Sequence, residues 1–414
     1  MAAEGFGAIL TGWVRQNYVE REFTFNFIGF DFLQAIVVGP QAYFIYTLLG
    51  ILGLAVAFGY RYRLAIIGYT IVWAAVYFGQ KTSYNNHYYL LLLICFLFIL
   101  VPANRYASMD VKSGRVQKSK STPYWTIWIF KFLLLIVYFY AAVAKLYPDW
   151  LQGKPVEIFL SGKTDWPILG PVADKMWFIL LLSYGGIIFD FLVIPALWYK
   201  PTRKIAFIIS IFFHLFNSAV FHIGIFPYMM LITSVLFFEP ASIRKLFFRN
   251  QIDNAELKPM PYLSSKWVYT ILVPFFALML ILPLRPFYFP GSPHWSEQGH
   301  RLSWHMMLRS KYGTIYYEVK QVGNQKVETI NPEDKVWRKA AQRISTRPDM
   351  IWQYAQRLKQ KYNEKGIEVE VYAHAFASLN GRELKPLTDP KVDLAAVKWK
   401  RFTYNDWILP HPDL

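Results

Sequence analysis

The chain has 414 residues, of which 55% are hydrophobic, 19% aromatic and only 17% charged. That balance excludes a disordered, collagen-like or coiled-coil chain, and an ordinary soluble domain as well. The net charge of +17 suggests nucleic acid at first sight. In so apolar a chain, loop lysines and arginines that set membrane orientation account for it better, so no nucleic-acid partner is expected.

Met1 to Val14 lacks the basic start and long apolar core of a signal peptide. Residues 22–39 are apolar but interrupted. Seven stretches then approach or reach the roughly 20 residues needed to cross a bilayer core: 43–58, 64–79, 88–102, 125–145, 176–198, 205–238 and 268–284. The sixth is too long for one helix and is expected to hold two, broken near Phe221–Gly224, which makes about eight spans. The basic clusters Arg61/Arg63, Arg105 to Lys120, Lys200/Arg203/Lys204 and Arg244/Lys245/Arg249 then fall on one side, cytoplasmic by the positive-inside rule. The other side receives 80–87, 146–175, the break at 221–224 and everything after 285. The single cysteine, Cys95, lies in an apolar run, so neither a disulfide framework nor a CxxC pair exists.

After Pro290 the chain turns polar and mixed. Asp349 to Tyr362 reads as a helix, with Ile351, Tyr354, Ala355 and Leu358 at helical spacing. Tyr312–Val319, Val369–Ser378 and Lys398–Tyr404 alternate as strands do. The expected fold is an all-α multi-pass membrane helix bundle (residues 1–284) followed by a small α+β extramembrane domain (residues 285–414).

Ionisable groups at membrane depth carry the most information, because burying them is expensive. Three clusters stand out. Lys81-Thr-Ser-Tyr-Asn-Asn-His87 lies between two spans; its composition also suits a solvated interfacial loop. Lys145 ends an apolar helix within Tyr138-Phe-Tyr-Ala-Ala-Val-Ala-Lys145-Leu-Tyr-Pro-Asp-Trp150. It either snorkels to the headgroups or sits in an apolar pocket, where desolvation disfavours the ammonium and leaves an amine able to act as a base. His214, Asn217 and Ser218 share one helical face, suited to a ligand or to bonds between helices. His222, Gly224 and Pro227 mark the helix break. His87, His214 and His222 could meet around a metal on paper. No HExxH, facial-triad carboxylate or cysteine ligand supports one, and no metal is expected.

The motifs KTSYNNH (81–87), VYFYAAVAKLYPDW (137–150), FHLFNSAVFHIGIFPYMML (213–231), LSWHMMLRS (302–310) and DPKVDLAAVKW (389–399) closely resemble those of the vitamin K-dependent gamma-glutamyl carboxylases. The membrane part of that family is the HTTM domain. The resemblance runs from about residue 25 to the C-terminus. It implies conversion of glutamate in a peptide or protein to gamma-carboxyglutamate, using reduced vitamin K (phylloquinol or menaquinol), oxygen and carbon dioxide. The family's catalytic lysine falls on Lys145, which the resemblance makes the base that deprotonates the hydroquinone. Oxygen then turns the quinol anion into a far stronger base, which takes the glutamate gamma proton. The carbanion attacks carbon dioxide, and vitamin K leaves as its epoxide. The family's Asn-His pair falls on Asn86 and His87 and its other intramembrane histidine on His214. Tyr138, Asn217 and His222 are implied to line the quinone and substrate pocket, and Trp304 to mark where glutamate enters.

The chain departs from the animal enzymes in several respects. Ala144 replaces the first of two adjacent lysines, and one cysteine cannot form their internal disulfide. The chain stops soon after the DPKVDLAAVKW motif, and their first membrane helix is absent or shortened. These differences imply a bacterial homologue in the inner membrane, its outer domain periplasmic; in a eukaryote that domain would be lumenal in the endoplasmic reticulum. Two other readings remain open: a quinol epoxidase without carboxylation, and a non-catalytic membrane protein that binds quinone or lipid.

Overall fold

The computed structural model describes residues 1–221, 223–240, 242–243, 266–324 and 326–413. The basic cluster Arg244/Lys245/Arg249 and His222 lie outside the described residues. Among those described, six helical segments are long and apolar enough to cross a membrane: Gln41–Phe58, Tyr62–Gly79, Trp125–Val143, Met176–Trp198, Arg203–Phe221 and Val268–Tyr288. Two shorter apolar helices, Asn86–Leu100 and Phe226–Phe237, complete the eight apolar elements expected. In lipid every backbone group must be satisfied internally, which the helix does within one segment.

The long apolar stretch divides where expected. The helix Arg203–Phe221 ends, Gly224 adopts a left-handed φ of +69°, and Pro227 stands in the first turn of Phe226–Ser234. Glycine takes that conformation at no steric cost, and the first turn is where a helix tolerates proline. Outward faces stay apolar: Phe44, Ile51 and Phe58 on one helix, Leu181, Ile188 and Leu192 on another, and Ile205, Ile208 and Phe212 on a third are all exposed. Such faces would be a liability in water and are the surface a bilayer requires. The protein is an integral membrane protein.

The contacts form two compact units, residues 1–138 with 192–279, and residues 139–191 with 280–414. The core of the first unit gathers Tyr18, Leu49, Ile66, Tyr69, Trp73 and Cys95, all nearly inaccessible. The N-terminal helix Ala2–Leu10 packs on Gln41–Phe58 through glycines. A Cβ on Gly5 would lie 2.5 Å from the Gly50 backbone nitrogen, and one on Gly50 would lie 2.5 Å from the Phe6 ring. Small residues at such crossings let helices approach closely. Asp110 caps a neighbouring helix from outside: its carboxylate accepts from the Arg61 and Tyr62 backbone N–H groups at 2.8 and 3.0 Å.

The second unit carries an antiparallel sheet of order β2-β1-β3-β4. Its strands are β1 (Lys311–Gln321), β2 (Val327–Ile330), β3 (Val369–Leu379) and β4 (Lys385–Pro386). Tyr317 pairs with Ala373 in the β1–β3 register. Along β3, Val369, Val371, Ala373, Ala375, Ala377 and Leu379 are buried, the period of two that pleating imposes. The helix Pro348–Asn363 buries Ile351, Tyr354, Ala355 and Leu358, and the Tyr317 hydroxyl donates to the Ile351 carbonyl at 3.0 Å. Two of the three expected strands and the expected helix are thus present. The third, Lys398–Tyr404, is not a strand. The Asn405 side chain accepts from the Lys400 N–H at 2.9 Å and donates to the Lys400 carbonyl at 3.0 Å. Those bonds close a loop and take the backbone groups a ladder would need.

Replacing Gly50 by valine forces the two helices of the first unit apart. The expected cost is about 1–3 kcal/mol, as for overpacking generally. It is read as a lower unfolding temperature in detergent and faster proteolysis of the N-terminal helix.

Candidate active site

In the first unit, the loop that could have been solvated is buried at Lys81, Thr82 and Asn86 and half-buried at its other residues. Lys81 is 1% exposed, its N–H donates to the Phe25 carbonyl at 2.6 Å, and the Gln80 side chain donates to the Asn17 carbonyl at 3.1 Å. Asn85 caps the helix Asn86–Leu100 by accepting from the Tyr88 N–H at 2.8 Å, which sets Asn86 and His87 on its first turn. The buried Asn86 amide oxygen accepts from the Tyr84 hydroxyl at 2.9 Å.

His87 is flanked by Phe226, with ring centroids 6.0 Å apart, and Phe226 by His214 at 6.3 Å. The His214 Nε2 and the Tyr138 hydroxyl lie 2.8 Å apart, the donor being set by the imidazole tautomer. Tyr138, His214, Phe226 and His87 therefore form one run of rings. A Cβ on Gly224 would meet His87 Nε2 at 3.9 Å, an ordinary contact, which places Gly224 beside that ring. Asn217 donates to the Phe213 carbonyl of its own helix at 2.9 Å, and the Ser218 hydroxyl to Tyr228 at 3.2 Å. His222, placed at the break by the sequence, is outside the described residues.

In the second unit, Lys145 follows the end of the helix Trp125–Val143, its N–H donating to the Ala142 carbonyl at 3.0 Å. Its Nζ forms a hydrogen-bonded ion pair with Asp190, donates to the Ala141 carbonyl at 3.2 Å, and lies 5.6 Å from the Trp150 ring centroid. Trp150 is fixed by donating to the Ser183 carbonyl at 3.0 Å. A Cβ on Gly186 would stand 3.8 Å from Lys145 Cε, an ordinary contact. Ser183, Gly186 and Asp190 thus present one face of their helix to the lysine and its tryptophan. The side-chain nitrogen finds its partners inside the protein. Asp190 escaped the sequence reading. Its signal was available, since it is the one acid in the span Met176–Trp198 and an intramembrane acid calls for a partner.

The chain just beyond Lys145 is clasped to the sheet of the same unit. Asp149 accepts both Arg382 guanidinium nitrogens, at 2.5 and 2.7 Å, and the Asn380 amide at 2.7 Å. Burial works to raise its carboxyl, but the hydrogen bonds from Arg382 and Asn380 prevail and hold it below the usual carboxylate range. The Tyr147 hydroxyl donates to the Leu308 carbonyl, and its ring lies 4.2 Å from that of His294.

Trp304 has no exposed surface. It has φ +60°, and Glu297, Leu302 and Met307 are likewise left-handed at +56°, +63° and +49°. Four non-glycine residues in that region within eleven positions are costly, and such strain gathers at functional segments. The segment is anchored by Glu297, which accepts from Arg309 Nε at 2.7 Å and faces His300 at 3.3 Å. Burial favours the neutral acid, but Arg309, His300, Lys311 and Arg347 hold its carboxyl well below the usual range.

The HTTM domain family matches residues 1–241, and the lumenal domain of vitamin K-dependent gamma-carboxylase matches residues 264–413. The chain belongs to the vitamin K-dependent gamma-carboxylase family. No solved structure matches it. A carboxylase-like activity dependent on vitamin K, with glutamate as the acceptor, follows from that membership.

Two outcomes follow for the second unit. The Glu297 acid is stronger folded than unfolded, where it titrates near 4.5. Its stabilisation is therefore complete above that pH and is lost as pH falls through the lower folded value. Thermal unfolding against pH shows an acid-side decline, and Glu297→Gln flattens it while lowering stability at neutral pH. Arg382→Ala leaves Asp149 short of its main partner and costs about 3 kcal/mol, seen as earlier thermal unfolding.

Proposed function

We propose that the protein carboxylates glutamate in a peptide or protein while converting a reduced naphthoquinone to its epoxide, and that Lys145 is the base. The observation that carries this reading is the side-chain nitrogen of Lys145 held beside a carboxylate at the end of an apolar helix, in the family's lysine motif. A flat aromatic diol needs ring-lined walls and hydrogen-bonding groups for its two oxygens. The run of Tyr138, His214, Phe226 and His87, with Asn86 next to it in sequence, suits that ligand. Reduced vitamin K, with oxygen, supplies the strong base that no side chain can provide for a glutamate gamma proton.

In this reading Lys145 takes a hydroquinone proton at Nζ. By the family resemblance alone, His87 and Asn86 hold the quinone oxygens, and Tyr138 with His214 orients the ring. By the family resemblance Asn217 and His222 belong to the quinone and substrate site, and Trp304 to the path of the glutamate chain. The membrane domain comprises residues 1–284 and the outer domain 285–414. The apolar walls exclude water, so the strong base meets glutamate first. Carbon dioxide is the co-substrate, and lipid and quinone are the membrane partners. The outer domain faces the periplasm of a bacterial inner membrane. The burial of Trp304 favours one second reading, a quinol epoxidase with no route for glutamate.

The test uses the full chain in nanodiscs with reduced vitamin K, oxygen, labelled bicarbonate and a glutamate-containing peptide. Epoxide and fixed label are both expected, and Lys145→Ala lowers both at least 100-fold, in the range of lost general-base catalysis. Epoxide without label selects the epoxidase. Neither product from a folded sample rules out both enzymes.

A further inference from the structure

Resting on the reading of Lys145 as the base, we propose that Asp190 is the positioning residue that receives the proton, so that the acceptor is the Lys145–Asp190 pair and not the lysine alone. An ammonium has three donors and no acceptor. Lys145 commits its nitrogen to Asp190 and to the Ala141 carbonyl, with the Trp150 ring beyond. An ammonium in this place gains a lone pair only by giving one N–H proton away. Within the pair, the carboxylate of Asp190 is the acceptor.

The step begins along an existing hydrogen bond. One N–H bond of Nζ breaks and that proton goes to Asp190 Oδ2, which leaves a neutral amine with a lone pair. An O–H bond of the quinol then breaks and its proton goes to that lone pair on Nζ. Lysine ends as an ammonium, aspartate becomes a carboxylic acid, and the quinol is left as its conjugate base. Charge is conserved and no electron changes hands. The surrounding geometry serves this relay. Gly186 faces the lysine stem, Trp150 is locked by its bond to Ser183, and Asp190 sits one turn from Gly186 on a regular helix. A rigid element holds the acceptor within hydrogen-bond reach, which proton transfer requires.

The test is difference infrared spectroscopy of the full chain in nanodiscs, under anaerobic conditions, on addition of reduced phylloquinone. Ultraviolet absorbance reports quinol ionisation in the same sample. Ionisation together with a new carboxylic-acid C=O band is expected in the wild type. Asp190→Glu should shift that band, and Asp190→Asn should abolish it. In aerobic assays Asp190→Asn is expected to lower the rate of epoxide formation at least tenfold while the quinol KM stays within about threefold, and Asp190→Glu to recover part of the rate. Ionisation without a carboxylic-acid band in the wild type overturns the role of Asp190 and leaves Lys145 as the base. No ionisation in a folded, quinol-binding wild type overturns the underlying reading as well. The wild-type spectrum decides the matter even if the asparagine variant does not fold.

Discussion

An ion pair among apolar helices is the feature on which the chemistry turns. Taking a lysine and an aspartate out of water costs several kcal/mol per ion, and their attraction repays it only with good geometry and further hydrogen bonds. Lys145 and Asp190 meet those terms through the Ala141 carbonyl and the Trp150 face. Such a pair is weak evidence for stability, because well-packed apolar residues would do as well or better. Its presence where it is expensive is what makes a functional role the better explanation.

The second unit invests heavily in holding its segments still. Asp149 binds the chain after Lys145 to Arg382 and Asn380. Glu297, Arg309 and His300 anchor a run in which Trp304, Leu302 and Met307 adopt left-handed backbone. Each such residue costs of order 1–3 kcal/mol and persists only where its surroundings over-determine it. In the first unit, the run from Tyr138 through His214 and Phe226 to His87 is likewise built from two rigid helices and a broken one. Sites assembled on regular elements hold their geometry better than sites on loops.

Much of this was legible in the residues, and the rest was not for physical reasons. Helical spans follow from apolar runs of near-bilayer length, and the break after Phe221 from glycine and proline chemistry. β1 and β3 follow from alternation over a half-buried surface. Lys398–Tyr404 alternates as well, yet Asn405 folds it into a loop through side-chain bonds that periodicity does not register. The loop 80–87 looked as solvated as it did functional, because composition cannot say which polar groups find partners; Lys81 is buried all the same. Asp190 was missed because a lone acid in a span acquires meaning only when its partner, 45 residues away in sequence, is known.

The central claim is that the nitrogen of Lys145 moves the first proton. Amine rescue of Lys145→Ala tests it most directly. Small primary amines of graded basicity would be added to the variant in nanodiscs and epoxide formation followed with reduced vitamin K. The account predicts recovery of turnover, with rates that rise with amine basicity. A variant that still binds quinol but shows no rescue by any amine, or one that turns over as fast as the wild type without one, would contradict it.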